Sequence, residues 1–139
     1  MTFQEKSALT MTGLLAIVFG GYFTLVLGAV ARVPQREVGY TALLIVASVV
    51  LAVLAAVSHI VLALVFRAQA NAFDERDRLV ELRSERIAGY VIALGVFAGI
   101  GLAMVQVDRF WIAQVLIAAL VLAEITDGVS KVVLYRRGT

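Results

Sequence analysis

The sequence predicts an all-α fold, an integral-membrane bundle of four transmembrane helices. Of the 139 residues, 62% are hydrophobic, whereas a soluble domain has roughly 45–50% apolar residues. The excess lies in long apolar runs, each at least as long as the roughly 20 residues that a helix needs to cross a bilayer. No run carries the polar face that a helix of a soluble bundle turns toward water. The four runs are Ser7–Ala31, Val38–Phe66, Ile87–Val107 and Phe110–Tyr135.

The first run is expected to be a retained helix of a single transmembrane domain spanning residues 1–139. The segment "MTFQEKSALT" carries one Lys and one Glu, and no small-residue cleavage site follows the run. These features differ from those of a cleaved signal peptide. The chain has no cysteine, which excludes disulfides, thiolate metal sites and thiol redox chemistry. A formal charge of +2 does not indicate nucleic-acid binding.

The distribution of Arg and Lys predicts that both termini and the central loop are cytoplasmic. Basic residues accumulate on the cytoplasmic side of membrane proteins with short loops. Nine lie on the side of the termini and the central loop: Lys6, Arg67, Arg76, Arg78, Arg83, Arg86, Lys131, Arg136 and Arg137. Three lie on the other side: Arg32, Arg36 and Arg109. We expect Tyr40, Phe110 and Trp111 to form the outer aromatic belt.

Small residues indicate where helices approach one another. Gly95 and Gly99 form a G-x-x-x-G spacing, which is typical of helix packing. Packing within the bundle is favoured over packing between subunits. The first helix is also rich in glycine, at positions 13, 20, 21 and 28. Four helices leave much surface uncovered, so we expect a homo-oligomer, most simply a two-fold dimer.

The chain also has features of a duplicated hairpin. "EKSALTMTGLLAIVFGGY" aligns with "ERIAGYVIALGVFAGIGL", and "LAVLAAVSHIVLALVFR" aligns with "LVLAEITDGVSKVVLYR". Such a parallel repeat would relate the halves by an axis along the membrane normal. Because apolar helices align easily by chance, a chance match stays open.

The segment 67–86 between the second and third runs is the most polar part of the chain. We expect a charged helix that enters the third membrane helix with little or no break. It could be a solvated connector, a docking surface for a cytoplasmic protein, or a divalent-cation site at Asp74, Glu75 and Asp77. Successive carboxylates point in different directions around a helix, so docking is preferred over ion binding. The candidate docking residues are Asp74, Glu75, Arg76, Asp77, Arg78 and Glu81.

Two stretches, "FQEKSA" at the N-terminus and "DERDRLVELRSER" in the centre, resemble those of a group of small bacterial inner-membrane proteins of four helices. In that group the "FQEKSA" start and the "DERD" loop recur. The remaining helices are similar only in length and apolarity. The resemblance implies a fold and a location, and it implies no activity and no functional residues.

Ionisable residues within the last apolar run are the main pointer to function. Glu124, Asp127 and Lys131 fall within an arc of about 60° on one helix face. Charges inside a bilayer cost roughly 2.5–3.5 kcal/mol each and usually face a bundle interior or a wet cavity. Lys131 could snorkel to the interface and pair with Asp127, one turn above it. Glu124 has no partner on its own helix.

His59 is the only histidine, and it lies in the second run. It precedes Arg67 by eight residues, and Asp127 precedes Arg136 by nine. At 1.5 Å per residue, His59 and Asp127 lie at a similar depth, about 12 Å from the inner boundary. His59 and Asp127 could therefore meet in the bundle interior, with Glu124 one turn above.

These residues leave several interpretations open. His59, Asp127 and Glu124 could form a proton or cation site or hold a divalent metal. Alternatively, a His–Asp hydrogen bond and an Asp–Lys ion pair hold the bundle together, with Glu124 protonated. Ser58 beside His59 and Ser130 beside Lys131 point about 100° apart on a helix, so no catalytic pair forms. We expect no enzyme activity, no catalytic residue, no bound cofactor and no metal.

Two classes of function remain. The first, which is preferred, is an oligomeric membrane protein that acts as an interaction or regulatory module through its helices and the "DERD" segment. The second is a proton- or cation-coupled transporter or channel that uses Glu124, Asp127 and His59.

Overall fold

The computed structural model describes residues 3–34, 37–65 and 75–137. These residues form four long helices, α1 (Phe3–Val30), α2 (Tyr40–Val65), α3 (Glu75–Met104) and α4 (Arg109–Arg137). Each helix is long and apolar enough to cross a membrane. The all-helical fold with four such helices agrees with the prediction from the sequence.

Helix α3 is longer than the third apolar run. It starts at Glu75 rather than at Ile87 and continues without a break to Met104. The charged sequence up to Arg86 therefore forms the first turns of a membrane-length helix, as expected from its entry into the third run. Glu75 and Asp77 lie in the first turn, where the helix dipole favours negative charge. Asp74, one of the candidate docking residues, lies outside the described residues.

Helices α1 and α4 form the centre of the bundle. The extensive helix contacts are those of α1 with α2, α1 with α4, and α3 with α4. Helices α2 and α3 therefore lie on either side of the central pair without packing extensively against each other. The two short connections, α1 to α2 and α3 to α4, meet at one end, which we call the turn end. The start of α1, the start of α3 and the end of α4 meet at the opposite end, the terminal end.

Glycine residues permit the closest helix approaches. A Cβ atom at Gly95 would overlap the Cβ of Ala119 on α4, and one at Gly99 would lie 2.8 Å from Leu116 Cδ2. The G-x-x-x-G spacing therefore packs α3 onto α4 within one chain. A Cβ at Gly128 of α4 would overlap Thr12 Oγ1 on α1. By contrast, the four glycines of α1 face open space, so they do not mediate close approach within this chain.

Aromatic residues fill the core near the turn end. Phe19, Tyr22 and Val26 of α1 pack with Phe110 and Val121 of α4. The predicted aromatic belt is wrong for Phe110, which is 3% exposed. Its ring contacts Tyr40 and Trp111 edge-to-face, with centroids 5.3 and 5.1 Å apart. The hydrophobic run alone gave no indication that this face of α4 turns toward α1.

The turn from α3 to α4 is closed by its own backbone. Gln106 has a φ of 58°, and the N–H groups of Gln106 and Val107 donate to Ala103 and Leu102 at 3.1 and 3.0 Å. This pattern is a Schellman motif. Asp108 then caps α4, because its Oδ1 accepts a hydrogen bond from Phe110 N at 2.9 Å. The motif fixes α3 and α4 as an antiparallel hairpin.

Candidate functional site

A cavity of 420 Å³ lies in the terminal half of the bundle. Residues of all four helices line it. The lining comprises Gln4, Ser7, Ala8, Met11, Thr12 and Leu15 of α1, His59 of α2, Asp77 and Glu81 of α3, and Glu124, Asp127, Gly128, Lys131 and Tyr135 of α4. The ionisable residues singled out in the last apolar run and the only histidine thus share one cavity.

The helix arrangement explains why this space is not filled. Gly128 and Thr12 bring α1 and α4 together at one point. Helix α2 packs on α1, and helix α3 packs on α4. Because α2 and α3 do not pack extensively against each other, the space between them remains open. Glu124 and His59 line this space and are exposed.

Asp127 and Lys131 form an ion pair inside the cavity. Lys131 Nζ lies 2.7 Å from Asp127 Oδ2, and the side chains are 25% and 17% exposed, respectively. This is the pair expected from the i, i+4 spacing. Both residues belong to α4, so the pair does not connect two helices. The other carboxylate oxygen, Asp127 Oδ1, is buried and has no hydrogen-bond partner among the described residues.

Glu124 lies close to the middle of α4, one turn from Asp127. Within the described part of the chain it has neither an ion-pair nor a hydrogen-bond partner. It is exposed in the isolated chain while it lines the cavity. A carboxyl group in this position can take up a proton or meet a cation that enters from the open side.

His59 lines the same cavity but does not form the expected bond with Asp127. The ring Nδ1 lies 2.9 Å from the carbonyl oxygen of Ala55, so Nδ1 carries the proton and donates it to this carbonyl. This leaves the lone pair on Nε2 as the acceptor. No described hydrogen bond joins His59 to Asp127. The His–Asp hydrogen bond of the structural interpretation is therefore not formed between these described residues, because the Lys131 ammonium pairs with Asp127 and the Ala55 carbonyl accepts from the His59 ring.

Two of the candidate docking residues have a different environment from the one that the sequence suggested. Asp77 and Glu81 line the cavity at its terminal end, and the Tyr135 phenol lies beside both carboxylates. Arg76 Nη2 donates to the backbone oxygen of Tyr135 at 3.2 Å. The start of α3 therefore packs against the end of α4 and adds acidic groups to the cavity.

The remaining charged residues near the start of α3 are accessible. Glu75, Arg76 and Arg78 are exposed. Leu79 and Leu82 follow these residues in the helix, and each of the two side chains is 52% exposed. This combination of charged and apolar side chains forms a surface, which we call the α3 tip.

Two other polar contacts, each involving a buried side chain, were not predicted from the sequence. Glu5 is 6% exposed, and its Oε1 lies 3.0 Å from Arg136 Nε, which joins the two chain ends at the terminal end. Tyr22 OH donates to Gln114 Oε1 at 3.1 Å, while Gln114 Nε2 is buried without a described partner. A lone Gln in the apolar run of α4 was the available signal, because buried amides generally require a hydrogen-bond partner.

The donor set does not resemble a resident metal centre. Among residues 3–34, 37–65 and 75–137, no group of three or more His, Asp or Glu side chains has a geometry that could hold a metal ion. The acidic residues that line the cavity are instead distributed along its length.

No protein-family model, curated protein or solved structure matches this chain.

Proposed function

We propose that this protein is a proton- or cation-coupled transporter or channel of the bacterial inner membrane. Its site comprises Glu124, Asp127 and His59. The observation that supports the proposal is that these residues, from two separate helices, line one half-open cavity of 420 Å³. With both termini in the cytoplasm, as the distribution of basic residues favours, the terminal end of the cavity faces the cytoplasm.

A purely structural role fits these residues less well. An ion pair that stabilises a bundle should join two helices, whereas Asp127 and Lys131 lie on the same helix. His59 donates to the Ala55 carbonyl of its own helix, and Glu124 lacks a described partner. Each group carries a cost of burial in the membrane, roughly 2.5–3.5 kcal/mol on insertion scales. The contacts that they make stabilise no helix–helix interface, so transport or binding explains their presence better.

The acidic lining gives the cavity its charge preference. Asp77, Glu81, Glu124 and Asp127 contribute carboxyl groups, and Lys131 contributes the only Lys or Arg among the lining residues. A cation that enters from the terminal end meets Asp77 and Glu81 first and then Asp127 and Glu124.

Flux in proteoliposomes tests this function. We expect a pH gradient to drive cation flux, or an imposed potential to drive proton flux. Each flux should disappear in Glu124→Gln and in Asp127→Asn. Glu37→Gln is the matched control, since it makes the same chemical change at an exposed residue of the turn end. Absence of proton, alkali-cation and organic-cation flux through folded wild-type protein would refute the proposal.

A second function is favoured by the α3 tip. We propose that the protein also forms homo-oligomers, most simply dimers, and presents this surface to a cytoplasmic protein. The exposed Leu79 and Leu82 among charged side chains support this role, as does the largely uncovered α2. We further propose that the helices insert into the membrane with both termini cytoplasmic, and that the chain is a duplicated two-helix hairpin.

Engineered cysteines test the oligomer directly, because the chain has none of its own. Val57→Cys on the exposed surface of α2 should cross-link between copies in native membranes. Ala123→Cys is the control, because Ala123 is buried and should not react. If no single cysteine along α2 cross-links while the protein remains folded, an interface through α2 is refuted.

A further inference from the structure

We propose that the cavity binds a small organic cation with a primary ammonium group and a short apolar body, and that Lys131 is a built-in competitor for it. This inference rests on the proposed function and specifies its substrate class. The starting observation is that an alkylammonium group already occupies the cavity. It is the side chain of Lys131, whose Nζ lies 2.7 Å from Asp127 Oδ2.

The size of the cavity agrees with such a ligand. Its volume is 420 Å³, whereas pockets for small molecules range from about 300 to 1,000 Å³. A dehydrated metal ion would leave most of this space unfilled, and the described residues contain no group of ligands that could hold one. A short alkylamine fills the space better than a bare ion.

The walls also match an alkylammonium ion. Ala8, Met11 and Leu15 of α1 line one wall with apolar side chains, and Glu124 and Asp127 of α4 line another. An ammonium group has three donors. Asp127 Oδ2 accepts from Lys131, while Oδ1 is buried with no described partner. The carboxylate therefore has unused acceptor capacity, and the apolar wall can cover the body of the ligand.

Lys131 can leave this position without unfolding α4. Its side chain is 25% exposed, and it lies near the terminal end, where a long side chain can extend toward the interface. A ligand that binds Asp127 must displace the Lys131 ammonium. Since Lys131 is tethered, it competes at an effective concentration in the millimolar range or above. This competition would keep Asp127 paired when no substrate is bound.

Binding of 1-butylammonium to the purified full-length protein, measured by calorimetry at neutral pH, tests the inference. Wild-type protein should bind it, and Lys131→Met should bind it at least about tenfold more tightly because the tethered competitor is gone. Asp127→Asn should lose binding. The uncharged analogue 1-butanol should not bind. Lys6→Met is the matched control, because Lys6 is the only other lysine and lies outside the cavity lining. The Lys6→Met variant should bind 1-butylammonium with the same affinity as wild type.

The midpoint temperature of thermal unfolding provides a second measurement of binding where the calorimetric signal is small. Removing Lys131 leaves Asp127 without its counter-ion, so 1-butylammonium should raise the midpoint of Lys131→Met and should not raise that of the double variant Asp127→Asn, Lys131→Met. Lys131→Gln replaces Lys131→Met if the latter does not fold. Equal affinity in wild type and Lys131→Met, or equal binding of 1-butanol, would overturn the inference.

Failure of this inference can be distinguished from failure of the proposed function. Proton or alkali-cation flux that depends on Glu124 and Asp127, without amine binding, overturns the substrate class and leaves transport in place. Amine binding that follows the expected order of variants, without flux of any cation, supports the binding site and refutes transport.

Discussion

The two halves of the α1–α4 interface are built from the same helices but are filled differently. Toward the turn end, Phe19, Tyr22 and Val26 pack against Phe110 and Val121, and little space remains. Toward the terminal end, the same two helices line a cavity of 420 Å³ with several ionisable groups. The turn-end half therefore holds the helices together, and the terminal half retains open space at a cost in packing. Variants in the two halves should consequently affect stability and function separately.

Truncating the turn-end core should have the largest effect on stability. Phe110 is 3% exposed, and we expect Phe110→Ala to lower the free energy of unfolding by about 3–5 kcal/mol. Met11→Ala is the comparison in the terminal half, since Met11 already borders open space and should cost less than half as much. Thermal or denaturant unfolding in detergent micelles measures both. Equal losses would show that the terminal half is as tightly packed as the core.

The close contact of α1 with α4 at Gly128 should be the next most sensitive position. A Cβ at Gly128 would overlap Thr12 Oγ1 and lie 3.2 Å from Thr12 Cβ. Gly128→Ala should therefore destabilise the protein by about 1–3 kcal/mol, as overpacking does, and should shift α1 away from α4. Thr12→Ala should recover part of the loss, because it removes the overlapping hydroxyl.

Gly101→Ala serves as the control for this substitution. No atom lies within 4 Å of a Cβ built at Gly101, and Gly in a helix is about 0.5–1 kcal/mol less favourable than Ala. This variant should be neutral or slightly stabilised. If Gly128→Ala behaves in the same way, α1 and α4 do not approach as closely as the structure indicates.

The number and length of the helices could be predicted from the sequence because a long apolar run has few solutions. In a bilayer the backbone must satisfy its own hydrogen bonds, so an apolar run of about 20 residues forms a helix. Counting residues also placed His59 and Asp127 at the same depth, and both line one cavity. The i, i+4 spacing of Asp127 and Lys131 likewise predicted their ion pair.

The rotation of the helices about their axes could not be predicted. A helix that is apolar on all sides gives no periodic signal for the face that turns inward. The sequence therefore predicts Phe110 in the outer aromatic belt, whereas its side chain is buried. It likewise predicts Asp77 and Glu81 on a docking surface, whereas both line the cavity. Such details depend on contacts between helices, as in the close approach of Gly95 to Ala119, and a single sequence does not reveal these pairings.

The smallest effect on stability is expected where the effect on function is greatest. Replacing a buried ion pair with apolar residues of similar size is often neutral or stabilising. Because Asp127 and Lys131 pair within α4 and join no other helix, the double variant Asp127→Leu, Lys131→Met should unfold within about 1 kcal/mol of wild type. It should nevertheless lose cation flux and amine binding.

Asp127→Leu alone leaves Lys131 without its partner and should be less stable than the double variant. A double variant that loses several kcal/mol would show that the pair is a structural element of the bundle, and the separation between a stabilising turn-end half and a functional terminal half would then be wrong.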